Sequence, residues 1–391
     1  MKQLSKMMLA AVASVALATS AYAWDFSASG SSSAKFTQQT YAPAEGDATT
    51  TADFSSTAGG VTVSSSHSDG ANSATFSYTA DWNPDPGNFD EYVSVSGSKK
   101  VGNWTASSST TQHMQKDVTG AANQAPMTAN ASAAITLTDG SITYKLGDAG
   151  HLSTAEKAVN GPMSGAQDAE ARVDSFNGFS VGLGVGPGTL TIAIDEGHGV
   201  AATALGDQSL AVACGANTMS FGVNFSGDVG ADLSFTYGSG SATADALGCT
   251  GDNSGDGATA STMGLGVAVP LGGMSLALDY EASGTTNTAA SVETATAQSG
   301  FEVSFTMPLS DATLGLNVSA HANETSVASV VTVLGAAAGT ELWYSVPIGP
   351  VSLAVGYGSS AVAAGCATCT AGATVTSAVT TQMGAEMSMS F

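Results

Sequence analysis

The histidines, which most often supply acid–base and metal chemistry in proteins, are scattered along this chain. They lie at His67, His113, His151, His198 and His321. None of them stands in the spacing of a metal-binding helix or beside a nucleophile elbow. The glycine-rich segments also lack the lysine of a phosphate-binding loop. The sequence therefore predicts no enzymatic activity and no cofactor.

Two acidic turns place oxygen-bearing side chains at alternate positions, as a calcium loop would. They span residues 81–87 and 252–257. Neither turn has a glutamate at the last position of an EF-hand loop, and Asp or Asn beside Gly and Pro more often simply forms a turn. No metal site is predicted, and calcium binding by these acidic loops stays an open alternative.

The cysteines form an even set, at Cys214, Cys249, Cys366 and Cys369. In an exported chain an even number favours disulfides, and four cysteines allow three pairings. Cys214 and Cys249 flank a predicted hairpin, whereas Cys366 and Cys369 could close a small ring within one loop. A redox or metal site at the second pair is the alternative, but no histidine or further cysteine pair lies beside it.

The charge of the chain excludes one class of partner and restricts its surface. The formal net charge is −23, so nucleic acid is not expected to bind, since phosphate contacts need clustered Lys and Arg. Charged residues make up 10% of the chain, compared with about 25% in soluble globular proteins. A surface that faces lipid would explain this shortage of charge.

The last nine residues carry a strict two-residue alternation of apolar and polar side chains. The apolar positions are Met383, Ala385, Met387, Met389 and Phe391. A period of two places all of them on one face of a strand. The chain thus ends on an amphipathic strand with a terminal aromatic residue.

The same alternation recurs in hairpins along the chain, with short turns rich in Gly, Pro and Asp. The clearest hairpins span 264–281, 301–321 and 342–357, and weaker ones include residues 93–104, with a turn expected near 97–100. After residue 23, no segment is apolar for long enough to form a membrane-spanning helix. A membrane protein with such strands must close its sheet to satisfy its backbone. We therefore predict an all-β transmembrane antiparallel barrel of about 16–18 strands, with short periplasmic turns and long extracellular loops.

Long connections rich in Gly, Ala, Ser, Thr and Asn separate the predicted hairpins, which is typical of exposed loops. They lie at 113–130, 148–176, 196–208, 242–260, 284–298, 322–338 and 360–379.

The amino terminus has the pattern of a secretory signal. Lys2 and Lys6 precede an apolar stretch over residues 7–18, and Ala21-Tyr22-Ala23 supplies small residues around a cleavage site. Residues 1–23 are therefore predicted to be removed, which leaves 24–391 as a single barrel domain. A retained N-terminal anchor is the alternative, although the apolar stretch is short for a membrane span.

The terminal strand ending in Phe391 and the repeated hairpins make the chain resemble the general Gram-negative porins. The resemblance covers nearly all of the mature chain and rests on architecture. It implies a homotrimeric barrel in the outer membrane, surrounded by lipid, through which ions and small hydrophilic solutes diffuse passively.

In the porin family a long loop folds into the barrel and narrows the channel. The best match here is the 148–176 connection, with charged residues Glu156, Lys157, Asp168, Glu170, Arg172 and Asp174. An ordinary solvated surface loop is the alternative interpretation.

The charges at inward strand positions are mostly negative. Lys145 faces inward by periodicity, and no Lys or Arg follows Arg172. The acids at inward positions are Asp195, Asp232, Asp279, Glu281 and Glu302. Acidic pore linings favour cations, so we predict a cation-preferring channel. Alternatively, some of these carboxylates lie near strand ends in bulk water, where salt screens them within about 8 Å.

A protein of a different class would share part of this pattern. A secreted β-rich surface-layer or adhesive protein also has alternating strands, but its apolar rows would be covered in an interior. Exposure of these rows separates the two interpretations.

Overall fold

The computed structural model describes residues 24–43, 46–55, 59–82, 89–113, 131–149, 151–153, 155–163, 176–198, 202–205, 208–210, 216–244, 257–289, 292–327, 330–363 and 377–391. The strands, in chain order, are β1 (Asp25–Ala42), β2 (Thr49–Ser55), β3 (Gly59–Ser68), β4 (Asn72–Trp82), β5 (Phe89–Val101), β6 (Trp104–His113), β7 (Ala131–Thr138), β8 (Ile142–Ala149), β9 (Phe176–Val185), β10 (Gly188–His198), β11 (Ala202–Leu205), β12 (Gln208–Leu210), β13 (Ala216–Asp228), β14 (Asp232–Ala244), β15 (Gly257–Leu271), β16 (Met274–Ala289), β17 (Val292–Leu309), β18 (Ala312–Val327), β19 (Val330–Ile348), β20 (Val351–Ala363) and β21 (Ser377–Ser390). In these ranges no helix is both long and apolar enough to cross a membrane.

The strands join in one large sheet. Among the residues described, nineteen strands belong to it, and β11 and β12 form a separate two-stranded sheet. Both β2 and β3 pair with β1, through Phe36↔Phe54 and Ala28↔Val63 respectively, so together they fill one strand position. Because β1 also pairs with β21, the sheet closes on itself. The predicted all-β antiparallel barrel is confirmed, with eighteen strand positions.

The chain divides into two compact units. The first comprises Met1–Ser32, Ser56–Asp139 and Ser390–Phe391. Hydroxyl groups pair between its neighbouring strands; Thr62 and Thr79 are an example, with their oxygens 2.9 Å apart. The backbones of Gly30 and Phe391 exchange two hydrogen bonds, of 2.7 and 2.9 Å. The terminal residue is therefore fixed by the strand ladder.

Asp69 shapes the turn between β3 and β4 in this first unit. Its carboxylate accepts hydrogen bonds from the backbone N–H groups of Ala71 and Asn72, and from the side-chain amide of Asn72. These hydrogen bonds lower the pKa of Asp69, and the one from the Asn72 side chain contributes most to that shift. The charged form of Asp69 is thus the one that stabilises the turn.

The second unit comprises Ser33–Ser55 and Gly140–Met389. Its strands bury their polar side chains and expose their apolar ones. On β16, Leu278 is 42% exposed whereas the next residue, Asp279, is 1% exposed. Glu302 on β17 and Glu341 on β19 are buried, while the adjacent residues Phe301 and Leu342 are exposed. This arrangement is the inverse of a soluble domain and suits an apolar outer face in contact with lipid.

The exposed apolar rows also distinguish a membrane barrel from a secreted surface-layer or adhesive protein. A surface-layer protein needs these rows covered, whereas a membrane barrel needs them on its outside.

Turns of two residues join many neighbouring strands and depend on positive φ angles. Gly272 and Gly273, with φ of 62° and 97°, connect β15 to β16. The turn expected near 97–100 was placed wrongly, because β5 continues to Val101 and the turn lies at Gly102-Asn103. Gly102 has φ of 63°, which glycine adopts without steric cost.

Two predicted loops, 284–298 and 322–338, are largely strand in the structure. β16 and β17 continue toward each other as far as Ala289 and Val292, and Thr285 and Thr296 face each other with their hydroxyl oxygens 2.5 Å apart. Threonine is β-branched and favours strands, so a Thr-rich composition was a poor sign of a loop here.

Candidate functional site

The chain after β8 returns across the polar face of the second unit. We call residues 151–153 and 155–163 the inner loop. Its buried side chains are His151, Leu152, Ala155, Ala158 and Met163. This segment of the 148–176 connection is therefore packed against the sheet.

The start of the inner loop is fixed by His151 and Ser153. The two ring nitrogens of His151 lie 2.8 Å from Ser180 Oγ and 2.9 Å from the carbonyl oxygen of Gly147. Ser153 Oγ donates to Asn224 Oδ1 at 2.9 Å, and Asn224 Nδ2 donates to the carbonyl of Ser153 at 3.2 Å. Contacts to β9 and β13 thus set the direction of the loop.

The loop then crosses β15 at Gly266. A Cβ at this position would overlap the carbonyl of Ala155, so only glycine lets the two backbones come so close.

The centre of the inner loop is held by a carboxylate of β16. Asp279 accepts the backbone N–H of Lys157 at 2.8 and 2.9 Å and that of Ala158 at 2.5 Å. On the next strand, Ser304 Oγ accepts the N–H of Val159 at 2.9 Å. Hydrogen bonds to an ionised acceptor are stronger than neutral ones. Asp279 is therefore the principal anchor of the loop.

A buried amide on β18 continues this row of anchors. Asn317 Nδ2 donates to Asn160 Oδ1 at 2.6 Å and also to Glu302 Oε1. Glu302 lies opposite Asp279 in the strand register, and Asn317 lies opposite Glu341. Consecutive strands thus present one continuous polar row beneath the loop.

The end of the inner loop is held from two sides. Glu341 Oε1 accepts the backbone N–H of Met163 at 2.5 Å. Lys35, on β1, donates to the carbonyl of Pro162.

Glycines make room for the buried end of the loop. A Cβ on Gly356 would lie 3.0 Å from Met163 Cγ, and one on Gly384 would lie 3.1 Å from Met163 Cε. Met163 therefore fills a cradle that larger residues on β20 and β21 would close.

A second glycine pair holds the ring of Trp343, which lies buried on β19. A Cβ on Gly315 or on Gly161 would overlap that ring.

We expect Gly315→Ala to lower the free energy of unfolding by about 1–3 kcal/mol, since overpacking forces neighbours to move. The urea midpoint in detergent micelles measures this loss. Adding Trp343→Leu should recover part of it, and a fully stable Gly315→Ala single variant would contradict the packing described.

An ion pair and a histidine–carboxylate contact lie beside the anchors of the inner loop. Lys157 Nζ is 2.9 Å from Asp232 Oδ2, with side chains 17% and 54% exposed. His321 Nδ1 lies 3.3 Å from Glu281 Oε1, and that carboxylate side chain is 20% exposed.

Several of the residues predicted from the sequence to line the pore lie close to the inner loop. Asp279 and Glu302 are buried beneath the inner loop, and Glu281 lies beside His321. Lys157 and Glu156 belong to the inner loop itself. Lys145 on β8 lies opposite Ser180.

Other residues predicted from the sequence to line the pore, form disulfides or form acidic turns lie outside the described ranges. These are Asp168, Glu170, Arg172, Asp174, Cys214, Cys249, Cys366 and Cys369, together with most of both acidic turns. In the part of the chain that is described, no group of three or more His, Cys, Asp or Glu residues could hold a metal ion.

Other residues that hold the loop were not among those predicted from the sequence to line the pore. These are Lys35, Asn224, Asn317 and Glu341. Asn317 and Glu341 are in phase with the polar positions of their strands, so periodicity places both on the inward face without showing that they contact the loop. Lys35 carried no such signal, because the pattern around it is weak.

Outer-membrane channels and porins are among the solved structures similar to this chain. The outer membrane channel DcaP of Acinetobacter baumannii matches with a TM-score of 0.55 and 10% identity, over 94% of this chain and 97% of that one. An anion-selective porin from Comamonas acidovorans matches with a TM-score of 0.46 and 11% identity, over 94% and 100%. OmpF of Salmonella typhi, in complex with daunomycin, matches with a TM-score of 0.48 and 10% identity, over 94% of this chain and 97% of that one.

No protein-family model and no curated protein matches the chain. At such low identity the likeness to DcaP concerns the fold: the chain is an antiparallel β-barrel of the kind formed by that outer-membrane channel.

Proposed function

We propose that the protein is a porin of the Gram-negative outer membrane, through which ions and small hydrophilic solutes diffuse passively. The observation that carries this proposal is the inverted burial of the strands, with exposed apolar rows such as Leu278 and Phe301 and a polar opposite face. Barrels of this strand number leave an aqueous channel, whereas eight-stranded barrels are filled by side chains. Passive diffusion needs no catalytic group and no cofactor.

The inner loop is the part that narrows this channel. It lies on the polar face and is held there by Asp279, Asn317 and Glu341. Since these anchors hold backbone groups and a short amide side chain, the loop is a fixed constriction. The whole 148–176 connection takes this role in the proposal.

We further propose that the channel prefers cations. The polar face of the second unit carries Asp232 and Glu281 with part of each side chain open to solvent. No Lys or Arg follows Arg172, so the later strands offer no basic wall. An acidic lining attracts cations and repels anions.

The resemblance to porins supports two further parts of the proposal. Residues 1–23 act as a secretory signal, and three copies of the mature chain form a homotrimer. Mass spectrometry of the purified protein should find Trp24 as the first residue, and chemical cross-linking in detergent should give a trimer band.

Recording in a planar bilayer tests the proposed channel. Purified protein should insert with stepwise increases in current, and a KCl gradient should give a reversal potential of the sign that potassium selectivity produces. The opposite sign would reject cation preference. Folded, inserted protein without any current would reject the channel itself.

A further inference from the structure

We propose that the Lys157–Asp232 ion pair sets the charge preference of the channel, with Asp232 as the acid that permeating ions meet. This inference rests on the proposed porin function. It assigns selectivity to a residue that lies away from the row of acids on the neighbouring strands.

The acids of that row are covered by the inner loop. Asp279, Glu302 and Glu341 are all buried, and Asp279 and Glu341 accept backbone N–H groups of the loop. A carboxylate enclosed in this way does not exchange partners with ions in solution. The row is therefore a structural anchor of the loop.

Asp232 has a different environment. It is the first residue of β14 and is in phase with Ser234 and Thr236, which are buried on the polar face. With 54% of its side chain exposed, it is open to solvent to a much greater extent than Glu281, at 20%. Glu281 is also engaged by His321. Asp232 is thus better placed than Glu281 to interact with a passing ion.

Lys157 reaches Asp232 from a fixed position. Its backbone N–H is bound by both oxygens of Asp279, and its ammonium lies 2.9 Å from Asp232 Oδ2. The loop therefore supplies a tethered cation that neutralises Asp232. A cation from solution competes with this ammonium for the carboxylate of Asp232. The pair therefore determines how much negative charge the channel presents to permeating ions.

The two charges can be removed one at a time. Lys157→Met leaves Asp232 without its partner and should raise the ratio of cation to anion permeability. Asp232→Asn leaves the ammonium uncompensated and should lower that ratio. Each change should be roughly two- to fivefold, the scale set by one unit charge about 4 Å from an ion in water.

Reversal potentials in a KCl gradient measure these changes, with heat-modifiable migration on a gel to confirm that each variant folds. The double variant should return close to the wild-type ratio because both charges are gone. Asp311→Asn is the matched control, since Asp311 is an exposed acid in the turn between β17 and β18. It should change the ratio less than Asp232→Asn.

Opposite shifts in the two single variants would support the inference. Unchanged reversal potentials, with normal current steps, would overturn it and leave the proposed channel intact. A lack of current steps in the wild-type protein would instead reject the proposed function.

Discussion

Asp279→Ala is expected to release the inner loop from the sheet and to increase the single-channel conductance. The substitution removes the carboxylate that accepts two backbone N–H groups of the loop, those of Lys157 and Ala158. Leaving a buried donor without a partner costs about 1–3 kcal/mol for each group. The loop should therefore leave the polar face, and the channel should widen. Conductance in planar bilayers and proteolytic cleavage within 151–163 both report this change.

Asp311→Ala serves as the control, because it removes an exposed acid that lies in a turn. It should leave both conductance and cleavage as in the wild type. Asp279→Asn should give a smaller effect than Asp279→Ala, since its amide keeps one acceptor oxygen. If Asp279→Ala has normal conductance and an uncleaved loop, Asp279 is not the anchor of the loop.

Leu278→Lys is expected to destabilise the barrel strongly in a membrane. Leu278 lies in the exposed apolar row of β16, and a lysine in the middle of the lipid-facing band costs about 2–4 kcal/mol. Urea unfolding of the protein in lipid vesicles measures this loss as a lower midpoint.

Thr306→Lys on β17 is the matched control. Thr306 pairs with Ser275 and is in phase with the buried polar residues Glu302 and Ser304. The same charge on this face should have a much smaller effect on stability. Equal losses for the two lysines would show that the two faces of the sheet do not differ in their surroundings.

The sequence predicted the barrel because a two-residue period is a local signal. The outward rows that include Leu278, Phe301 and Leu342 could be read directly from the alternation. Because the same alternation continues through Thr- and Ala-rich segments, the lengths of β16 to β19 were underestimated. The position of the turn after β5 was missed because glycine occurs at both Gly97 and Gly102.

The candidate site was only partly predictable. Periodicity shows that Asp279 and Glu302 face inward, but it does not show which segment covers them. Lys35 and Pro162 are far apart in the chain, and their contact depends on how the loop crosses the sheet. Such contacts follow from tertiary packing, which leaves no periodic trace in the sequence.

Tertiary packing also explains why Asp279 is buried whereas Asp232 is exposed. Both residues are in the inward phase of their strands, yet one is enclosed by the loop and the other is exposed beside Lys157. Periodicity alone places all of the inward acids in one pore-lining set. The structure separates them into anchors of the loop and a solvent-accessible charge.

Site-directed spin labelling in lipid vesicles tests most directly whether the apolar rows face lipid and the polar face borders water. Labels at Leu278, Leu342 and Asp232 would be introduced as single cysteines, with the native cysteines replaced by serine. We predict that the first two labels are accessible to oxygen, which dissolves in lipid, and that the third is accessible to a water-soluble nickel complex. Nickel access at Leu278 and Leu342, or oxygen access at Asp232, would contradict the membrane barrel.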